Sequence, residues 1–321
     1  MHTRSDGLIL HLAIVGPTAS GKSDLAFAIA QALGDVEIVS LDSMQVYRGM
    51  DIGTAKPSAH ELAAVPHHVI DVVEPCAEWS VVRTQAAARA AVADIEGRGR
   101  RALLVGGTGL YVQAVVDAFE FPGEDLSLRA ELEASTAEPG GVSAAYAELV
   151  AADPIGSARI DPHNVRRIVR ALEVIRLTGR PFSSFGPGVD AFGSTVFPVR
   201  IFGIWLPRAL LAERIEARVA FMRERGFVEE VVRLAGAPMG LSRTARQAIG
   251  YREVLEAVAA SGDLPDSTGI TEALSLTVRR TRAFARRQRM WFRRDPRITW
   301  FGSGNNPQEL LATLLSGWST T

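Results

Sequence analysis

The sequence predicts an α/β fold, in which a parallel sheet with helices on both faces is interrupted by an all-helical insertion and followed by a C-terminal helical region. Three observations support this fold class. Buried strand patterns alternate with amphipathic helix patterns over about the first 120 residues, which is typical of a parallel sheet. A glycine-rich loop follows the first strand pattern and opens a helix. Strand patterns stop between about residues 121 and 197 and then return.

The first part of the core contains four strand patterns and three helix patterns. Apolar runs predict buried strands at 8–15, 37–40, 67–73 and 101–105. Amphipathic spacing predicts one helix at about 22–33 and a second that starts after Ser80, its N-cap, and runs to about Glu96. A third helix follows GGTGLY. The irregular stretch 41–58 is long for a compact domain, and loops of that length are usually functional.

The second part of the chain changes character twice. Helical segments at 143–152 and 162–178 lie between Pro/Gly breaks, with no strand pattern among them. The apolar run 197–206 resumes strand character and is expected to rejoin the sheet, and helices follow at about 207–225, 243–260 and 268–294. The chain therefore divides into a phosphate-loop core at 1–121, an inserted helical domain at 122–197, and the rest of the core with the C-terminal basic helices at 198–321.

Composition narrows the classes of protein to consider. The 321 residues carry a net charge of −1, so overall charge indicates no partner, and Cys76 alone excludes an internal disulfide. Neither a signal peptide nor an apolar run of membrane-spanning length is present. We therefore expect a cytoplasmic protein with no membrane partner, and a monomer. The basic residues are 33 arginines and only two lysines, Lys22 and Lys56. Lys56 either has a functional role or is a lysine by chance, and the sequence does not distinguish the two.

The stretch GPTASGKS, residues 16–23, matches the phosphate-loop pattern G-x-x-x-x-G-K-[ST]. A strand precedes it and a helix follows, which is the context in which such loops bind phosphate. Backbone N–H groups and the helix N-terminus would face the anion. Lys22 would neutralise phosphate oxygens, and Ser23 would offer its hydroxyl to Mg²⁺, the cofactor that we expect. The pattern predicts bound phosphate without indicating which molecule carries it.

Two further features argue against an ordinary nucleotide hydrolase. Such an enzyme needs an acid after a later strand to hold Mg²⁺, yet the strand RALLV ends in GGTG, residues 106–109. This stretch predicts a second ligand loop with Thr108 as a hydroxyl donor, or else a tight turn. Asp42, directly after the second strand, is a candidate general base or metal ligand, with turn capping as the alternative. Ser43 and Gln45 beside it suit the edge of a base.

The arginine-rich stretch 279–294 carries eight arginines in sixteen residues and no acid. A solvated helix face normally mixes both signs of charge, so we predict a polyanion partner. Arg166, Arg167 and Arg170 form a smaller basic group in the insertion, for which pairing with Glu173 is the alternative.

Arg214 and Arg218 lie four residues apart and therefore share one face of a predicted helix. Either side chain would reach the phosphate site or, alternatively, pair with Glu213 or Glu216 on the helix surface.

Seven blocks occur together and in order: GPTASGKS, DSMQVYRGMDIGTAKP, PHHVID, GGTGLY, DPHNVRRIVRALEVIRLTG, QAIGYREV and RRTRAFARRQRMWFRR. Together they resemble the tRNA dimethylallyltransferase family, also called tRNA isopentenyltransferases, over about residues 10–295. One block departs from the family pattern, since Asp161 stands where histidine is common.

The resemblance implies an activity and two partners. The family transfers the dimethylallyl group of dimethylallyl diphosphate to the exocyclic N6 amine of the adenosine 3′ of the anticodon, in tRNAs that read codons starting with U, and releases diphosphate. The partners of this chain would then be dimethylallyl diphosphate and a tRNA anticodon stem-loop, which the inserted domain and the arginine-rich stretch would hold from two sides.

The resemblance also implies roles for individual residues. Asp42 aligns with the general base, and Arg218 aligns with the diphosphate arginine, preferred over Arg214 by motif position alone. Lys22 and Thr108 complete the catalytic set, and Ser23 is the metal ligand. The implied diphosphate contacts are Gly16, Thr18, Ala19, Ser20, Gly21, Lys22 and Ser23. The implied tRNA contacts are Asp42, Ser43, Met44, Gln45, Thr108, Arg129, Arg166, Arg167, Arg170, Gln247, Gly250, Tyr251, Arg252, Arg282 and Arg286.

Three other functions remain possible from the sequence. A nucleoside or nucleotide kinase would use the same loop but leaves the arginine-rich stretch unexplained. An isopentenyltransferase acting on free adenine nucleotides leaves the tRNA-contact blocks unexplained. A non-catalytic, nucleotide-gated RNA-binding protein explains the arginines but not Asp42 beside GGTG.

Overall fold

Six parallel strands form one sheet in the computed structural model, which describes residues 9–185, 188–189, 191–261 and 266–319. The spatial order is β3-β2-β4-β1-β5-β6. The strands are β1 (His11–Val15), β2 (Val36–Ser40), β3 (His67–His68), β4 (Arg101–Gly106), β5 (Val199–Trp205) and β6 (Ile298–Gly302). The predicted α/β class and parallel sheet are confirmed. The phosphate loop follows β1, in the middle of the sheet.

Two strands differ from the prediction. The strand expected at 67–73 has only two residues in the ladder, because Val69 and Asp71 have φ angles of 62° and 53°. That left-handed backbone cannot continue an extended strand. The edge strand β6 was not predicted, and it pairs with β5 from Ile201–Ile298 onwards.

Between residue 9 and the insertion, the structure has four α-helices. They are α1 (Lys22–Leu33), α2 (Ala59–Ala64), α3 (Val81–Gly97) and α4 (Gly109–Val116). The predicted bounds of α1 are confirmed, and the Ser80 side chain accepts the N–H of Arg83 as the N-cap of α3. Successive β1 residues pack on opposite faces of the sheet: Leu12 and Ile14 contact one apolar cluster, Ala13 and Val15 the other. Both faces of the sheet are therefore covered.

The inserted unit spans Ala118–Gly193 and has an apolar core of its own. The predicted range, 122–197, begins and ends a few residues later. Its helices are α5 (Leu126–Ala137), α6 (Gly141–Ala152), α7 (Pro154–Ser157) and α8 (Val165–Thr178), of which α5 and α7 lie outside the predicted segments.

The basic side chains of the insertion fall into two groups. Arg129 and Arg170 both form ion pairs with the fully buried carboxylate of Glu173, at 2.9 and 3.0 Å. An internal anion therefore holds both guanidinium groups, which confirms the alternative interpretation for Arg170, and their tRNA contacts stay predictions. Arg166 and Arg167 are exposed and have no acidic partner within the described residues, so they stay available.

Six α-helices follow β5 in the part of the chain that the structure describes. They are α9 (Arg208–Glu224), α10 (Phe227–Ala235), α11 (Arg243–Arg246), α12 (Tyr251–Ser261), α13 (Ser267–Phe292) and α14 (Leu311–Ser319). The helix predicted at 243–260 is divided by a turn in which Gly250 has a φ of 96°. Within the described ranges, no helix combines the length and the apolarity needed to cross a membrane.

Glu173→Ala should destabilise the chain by about 2–4 kcal/mol, because it leaves two guanidinium groups and the Asp125 N–H without their shared acceptor. Burial acts to raise the pKa of Glu173, but hydrogen bonds from Asp125, Arg170 and Arg129 hold it below its ordinary value. The stabilisation is therefore complete above the unfolded pKa, about 4.3, and lost as pH falls through the lower folded value.

Urea denaturation followed by circular dichroism at pH 7 and at pH 3 measures this effect. Glu131→Ala, which removes a largely exposed carboxylate of α5, is the control and should cost no more than about 0.5 kcal/mol. Equal losses for the two variants at pH 7 would contradict the structural role of Glu173.

Candidate active site

The phosphate loop forms an open nest of backbone N–H groups. Ala19 and Gly21 adopt left-handed φ angles of 62° and 81°. The first α-helical hydrogen bond of α1 runs from the Leu25 N–H to the Gly21 carbonyl, 3.0 Å, so the N–H groups of Lys22 and Ser23 have no helical acceptor. A Cβ on Gly21 would lie 2.7 Å from Pro307, so a side chain at this position would clash as well as strain the left-handed backbone. The nest suits an anion.

Two side chains of the loop, those of Ser20 and Lys22, are also suited to bind an anion. The Ser20 hydroxyl is buried and has no hydrogen-bond partner in the described part of the chain. A buried unpaired hydroxyl is costly, and a bound phosphate oxygen would satisfy it. Lys22 donates from Nζ to the Pro17 carbonyl at 3.3 Å. Burial lowers the pKa of Lys22 to about 8, with the Asp42 carboxylate opposing the shift and the Arg218 guanidinium adding to it.

Arg214 and Arg218 of α9 both reach the phosphate loop. Arg214 donates from Nε to the Ala19 carbonyl at 2.8 Å, so it braces the backbone of the loop. Arg218 donates to the Thr18 hydroxyl at 3.3 Å. Burial lowers the pKa of Arg218, and the carboxylate of Asp42 opposes the shift. Arg218, Lys22 and Asp42 therefore share one electrostatic environment, which favours Arg218 over Arg214 as the diphosphate arginine.

Asp42 lies where β2 ends, with one carboxylate oxygen occupied and one available. Its Oδ1 accepts the backbone N–H groups of Met44, at 2.8 Å, and Gln45, at 3.3 Å, so it also closes the turn that was the alternative interpretation. Oδ2 has no partner among the described residues. The two roles are compatible, because the turn orients the carboxylate and leaves one oxygen for a ligand.

Gln45 is more constrained than the sequence indicates. Its Oε1 accepts the Ser40 hydroxyl at 2.9 Å, and its Nε2 donates to the carbonyls of Thr54 and Ala55 at 3.3 and 3.2 Å. The amide therefore holds together the loop after β2. A contact from Gln45 to a base would have to replace these bonds, whereas Ser43 and Met44 are partly accessible.

Two buried side chains hold the long loop 41–58 in shape, Glu230 from outside the loop and Lys56 from within it. Glu230 of α10 accepts the N–H groups of Asp51, Ile52 and Gly53 at 3.0, 2.9 and 3.1 Å, and the Tyr251 hydroxyl. Lys56 settles an interpretation that the sequence left open. Its ammonium is nearly buried and contacts the Tyr47 carbonyl at 2.8 Å and the carboxylates of Asp51 and Asp71 at 2.6 and 2.5 Å. Its ammonium therefore links residues of the loop to one another and to Asp71, which is a structural role.

The glycine loop after β4 lies beside the phosphate loop. Thr108 is the N-cap of α4, yet its side chain forms no capping hydrogen bond and is partly accessible, so its hydroxyl is available. A Cβ on Gly107 would lie 3.4 Å from Lys22 Nζ, and one on Gly109 would lie 2.0 Å from the Trp291 ring. These glycines allow the lysine and the helix α13 to pack directly against the loop.

Gln288 of α13 is a site residue that the sequence reasoning missed. Its helical spacing from Leu274, Thr277, Phe284 and Trp291 places it in a stripe of mainly apolar and small residues, which predicts packing rather than a polar role. Its side-chain amide instead bonds to the Thr18 N–H and to the Gly107 carbonyl, both at 2.8 Å. The signal that would have found it is a polar amide within an otherwise apolar stripe.

The arginines of α13 do not all face a partner molecule. Arg280 pairs with Glu253, and Arg282 pairs with Glu216 at 2.6 Å, so acids on α9 and α12 neutralise part of the cluster. Arg282, a predicted tRNA contact, has an exposed ion pair of low energy that a phosphate group would readily replace. The arginines of this cluster that are exposed without an acidic partner in the described residues are Arg279, Arg286, Arg287 and Arg293.

The predicted tRNA contacts at 247–252 include two buried residues and two that are accessible. Tyr251 is fully buried and bonded to Glu230, and Gly250 is buried against Phe227, so direct contact from either is corrected to a supporting role. Gln247 is exposed and Arg252 is partly exposed.

The metal ligands available from the chain are few. Among the described residues, no three His, Cys, Asp or Glu side chains are grouped so as to hold a metal ion. The Ser23 hydroxyl is exposed at the start of α1 and makes no hydrogen bond within the described part. Mg²⁺ commonly binds through one or two protein groups and substrate phosphates, so these residues fit a metal that arrives with the ligand.

Comparisons with known proteins agree with this geometry. The family model described as IPP transferase matches residues 45–295. A tRNA dimethylallyltransferase of Salinispora arenicola is 50% identical over 92% of this chain and 83% of its own length. One of Streptomyces coelicolor is 48% identical over 91% of this chain and 90% of its own.

Solved structures give the same result. The full-length tRNA isopentenylpyrophosphate transferase of Bacillus halodurans has a TM-score of 0.68 and 36% identity, with 96% of this chain and 95% of that chain covered. A eukaryotic dimethylallyltransferase acting on tRNA has a TM-score of 0.77 and 26% identity, with 97% of this chain and 75% of that chain covered. The chain therefore belongs to the tRNA dimethylallyltransferase family.

Proposed function

We propose that this protein transfers the dimethylallyl group from dimethylallyl diphosphate to the N6 amine of the adenosine 3′ of the anticodon, in tRNAs that read codons starting with U, and releases diphosphate. One observation carries the proposal. Lys22, Arg218 and Asp42 share one environment at an open phosphate loop, while glycines stand where a nucleotide hydrolase places its metal-binding acid. The site thus combines cations that can stabilise a diphosphate leaving group with a carboxylate that can accept the proton of an attacking amine.

The residues divide the reaction between them. The amine nitrogen attacks the primary carbon of the dimethylallyl group, and the bond from that carbon to the bridging oxygen breaks, so the electron pair leaves with diphosphate. Lys22, Arg218 and the N–H groups of the phosphate loop stabilise the charge that develops on the leaving group. Asp42 takes the proton that the amine loses, through its available Oδ2. Thr108 donates its hydroxyl to the diphosphate.

Mg²⁺ fits this proposal as a companion of the donor. The Ser23 hydroxyl would hold it together with diphosphate oxygens, and the ion would supply further charge neutralisation. The adenine has to leave its stack for its amine to reach the donor carbon. Arg286 and the other exposed arginines of α13, with Arg166 and Arg167 of the insertion, supply cations for the phosphates of the anticodon stem. We further propose that the protein acts as a cytoplasmic monomer.

The direct test is transfer of labelled dimethylallyl groups to an unmodified anticodon stem-loop in the presence of Mg²⁺. Asp42→Asn should lower kcat by about 10²–10⁴-fold and leave the Kd for stem-loop and donor within a few-fold, because the amide cannot accept the proton. Asp94→Asn, on the exposed face of α3, is the control and should keep full activity. ATP hydrolysis without transfer would reject the function, and an active Asp42→Asn would reject the base.

The charge of Lys22 should appear in the pH dependence of diphosphate binding. Lys22 is protonated below its pKa of about 8 and neutral above it, and only the protonated form attracts the anion. The ratio of the diphosphate Kd of Lys22→Met to that of the wild type should therefore be greatest below pH 8 and fall as pH rises to 9.5. Titration calorimetry measures both constants, and ionisation of diphosphate itself cancels in the ratio. A ratio that stays constant would contradict the prediction.

Arg286→Glu should weaken binding of the stem-loop roughly tenfold at low salt and flatten its salt dependence, because one phosphate contact is replaced by repulsion. Arg83→Glu on α3 makes the same change in net charge and serves as the control. Fluorescence anisotropy at several salt concentrations measures both. If the two variants behave alike, the exposed face of α13 does not bind RNA.

A further inference from the structure

The two ligand loops lie side by side but have no backbone ladder between them. Strands β1 and β4 pair in parallel up to Val15 and Gly106, the last pair in register. Beyond it the chains separate into the phosphate loop and the glycine loop. The backbones of the two loops also approach closely, since a Cβ on Gly107 would lie 3.2 Å from the Gly16 carbonyl oxygen, and Gln288 is the side chain whose amide hydrogen-bonds to both loops.

The amide of Gln288 fits its position in one orientation. Its Oε1 faces the Thr18 N–H and can only accept, while its Nε2 faces the Gly107 carbonyl and can only donate, each at 2.8 Å. The side chain is 5% exposed, so water would not replace the amide as hydrogen-bond partner of the Thr18 N–H or the Gly107 carbonyl if the amide were removed. Gly107 also has no room for a Cβ, which would lie 2.5 Å from Nε2.

Each of the two loops that Gln288 joins lies beside groups that the proposed reaction assigns to binding the diphosphate of dimethylallyl diphosphate. Thr18 receives the hydrogen bond of Arg218 through its hydroxyl, while its N–H is held by Gln288. Gly107 directly precedes Thr108 and lies against Lys22 Nζ. A change in the spacing would therefore move Thr18 and Arg218 relative to Thr108 and Lys22, which the proposed reaction needs around one diphosphate.

Gln288 also connects the donor site to the helix that carries the exposed arginines. Arg286 lies two residues earlier on α13, and Trp291 packs against Gly109 three residues later. The buried face of the helix is thus docked on the loops while its exposed face stays outside.

We propose that Gln288 is a positioning residue, whose side-chain amide sets the spacing of the two diphosphate-binding loops and docks α13 on them. This inference rests on the proposed function for the identity of the anion. Gln288 touches neither reacting group, so its effect reaches the anion through the loops.

Binding of inorganic diphosphate with Mg²⁺ to the full chain tests the inference without requiring transfer. Gln288→Leu removes both hydrogen bonds and should raise the diphosphate Kd by about 10–100-fold, with stem-loop affinity changed less than about threefold. The matched control is Thr277→Val. Thr277 is another buried polar residue of α13, but it bonds only to the Ala273 carbonyl of its own helix. Thr277→Val should lower the melting temperature while leaving the diphosphate Kd unchanged.

Gln288→Glu supplies a readout that a purely structural role would not move. Its carboxylate would still accept the Thr18 N–H, but it would face the Gly107 carbonyl without a proton and add negative charge near the anion. Protonation restores a donor, so the diphosphate Kd of this variant relative to wild type should improve as pH falls from 8 to 5.5. This variant also keeps the test decisive if Gln288→Leu does not fold.

The outcomes separate the two proposals. Diphosphate affinity of Gln288→Leu within twofold of wild type, equal weakening by Thr277→Val, or a Gln288→Glu ratio independent of pH would each overturn the positioning role. A wild type that binds diphosphate but transfers no dimethylallyl group would overturn the proposed function alone.

Discussion

The cluster of unpaired N–H groups at the end of β1 is the constraint on which the site depends. Lys22, Arg214 and Arg218 converge on this nest and add positive charge to it; the carboxylate of Asp42 opposes the charge of Lys22 and Arg218, and that of Asp24 the charge of all three. Cations repel one another at low dielectric, so the arrangement is costly without an anion and favourable with one. Burial is the main cause of the lowered pKa of Lys22; the Arg218 guanidinium adds to the shift, and the Asp42 carboxylate opposes it.

The elements around the nest are held by a few buried polar groups. Glu230 binds three consecutive N–H groups of the loop after β2, and Lys56 closes the same loop through two carboxylates. Gln288 joins the phosphate and glycine loops. Irregular segments have no ladder to fix their shape, so paired polar side chains do this instead, at the expense of desolvation. These polar contacts therefore fix the loops around the phosphate loop, while the arginines on the outer face of α13 stay exposed.

Much of the fold was predictable because its signals are local. The alternation of strands and helices, the bounds of α1 and the Ser80 cap follow from apolar spacing and capping chemistry within short windows. The strand at 67–73 was wrong because left-handed angles at Val69 and Asp71 are imposed by surrounding contacts, and neither residue is a glycine. The edge strand β6 and helix α14 were missed, since their short patterns become meaningful only when they pack on β5 and α1.

The sequence by itself determined the phosphate loop, the acid after β2, the glycine loop without an acid, the arginine-rich helix and the family. Each of these depends on residues close together in the chain. Only the tertiary structure decided that Arg218 lies in the environment of Asp42, that Tyr251 and Lys56 are supports, and that Glu173 holds Arg129 and Arg170. Gln288 and Thr18 are 270 residues apart, and no local pattern encodes which distant partner a polar side chain will meet.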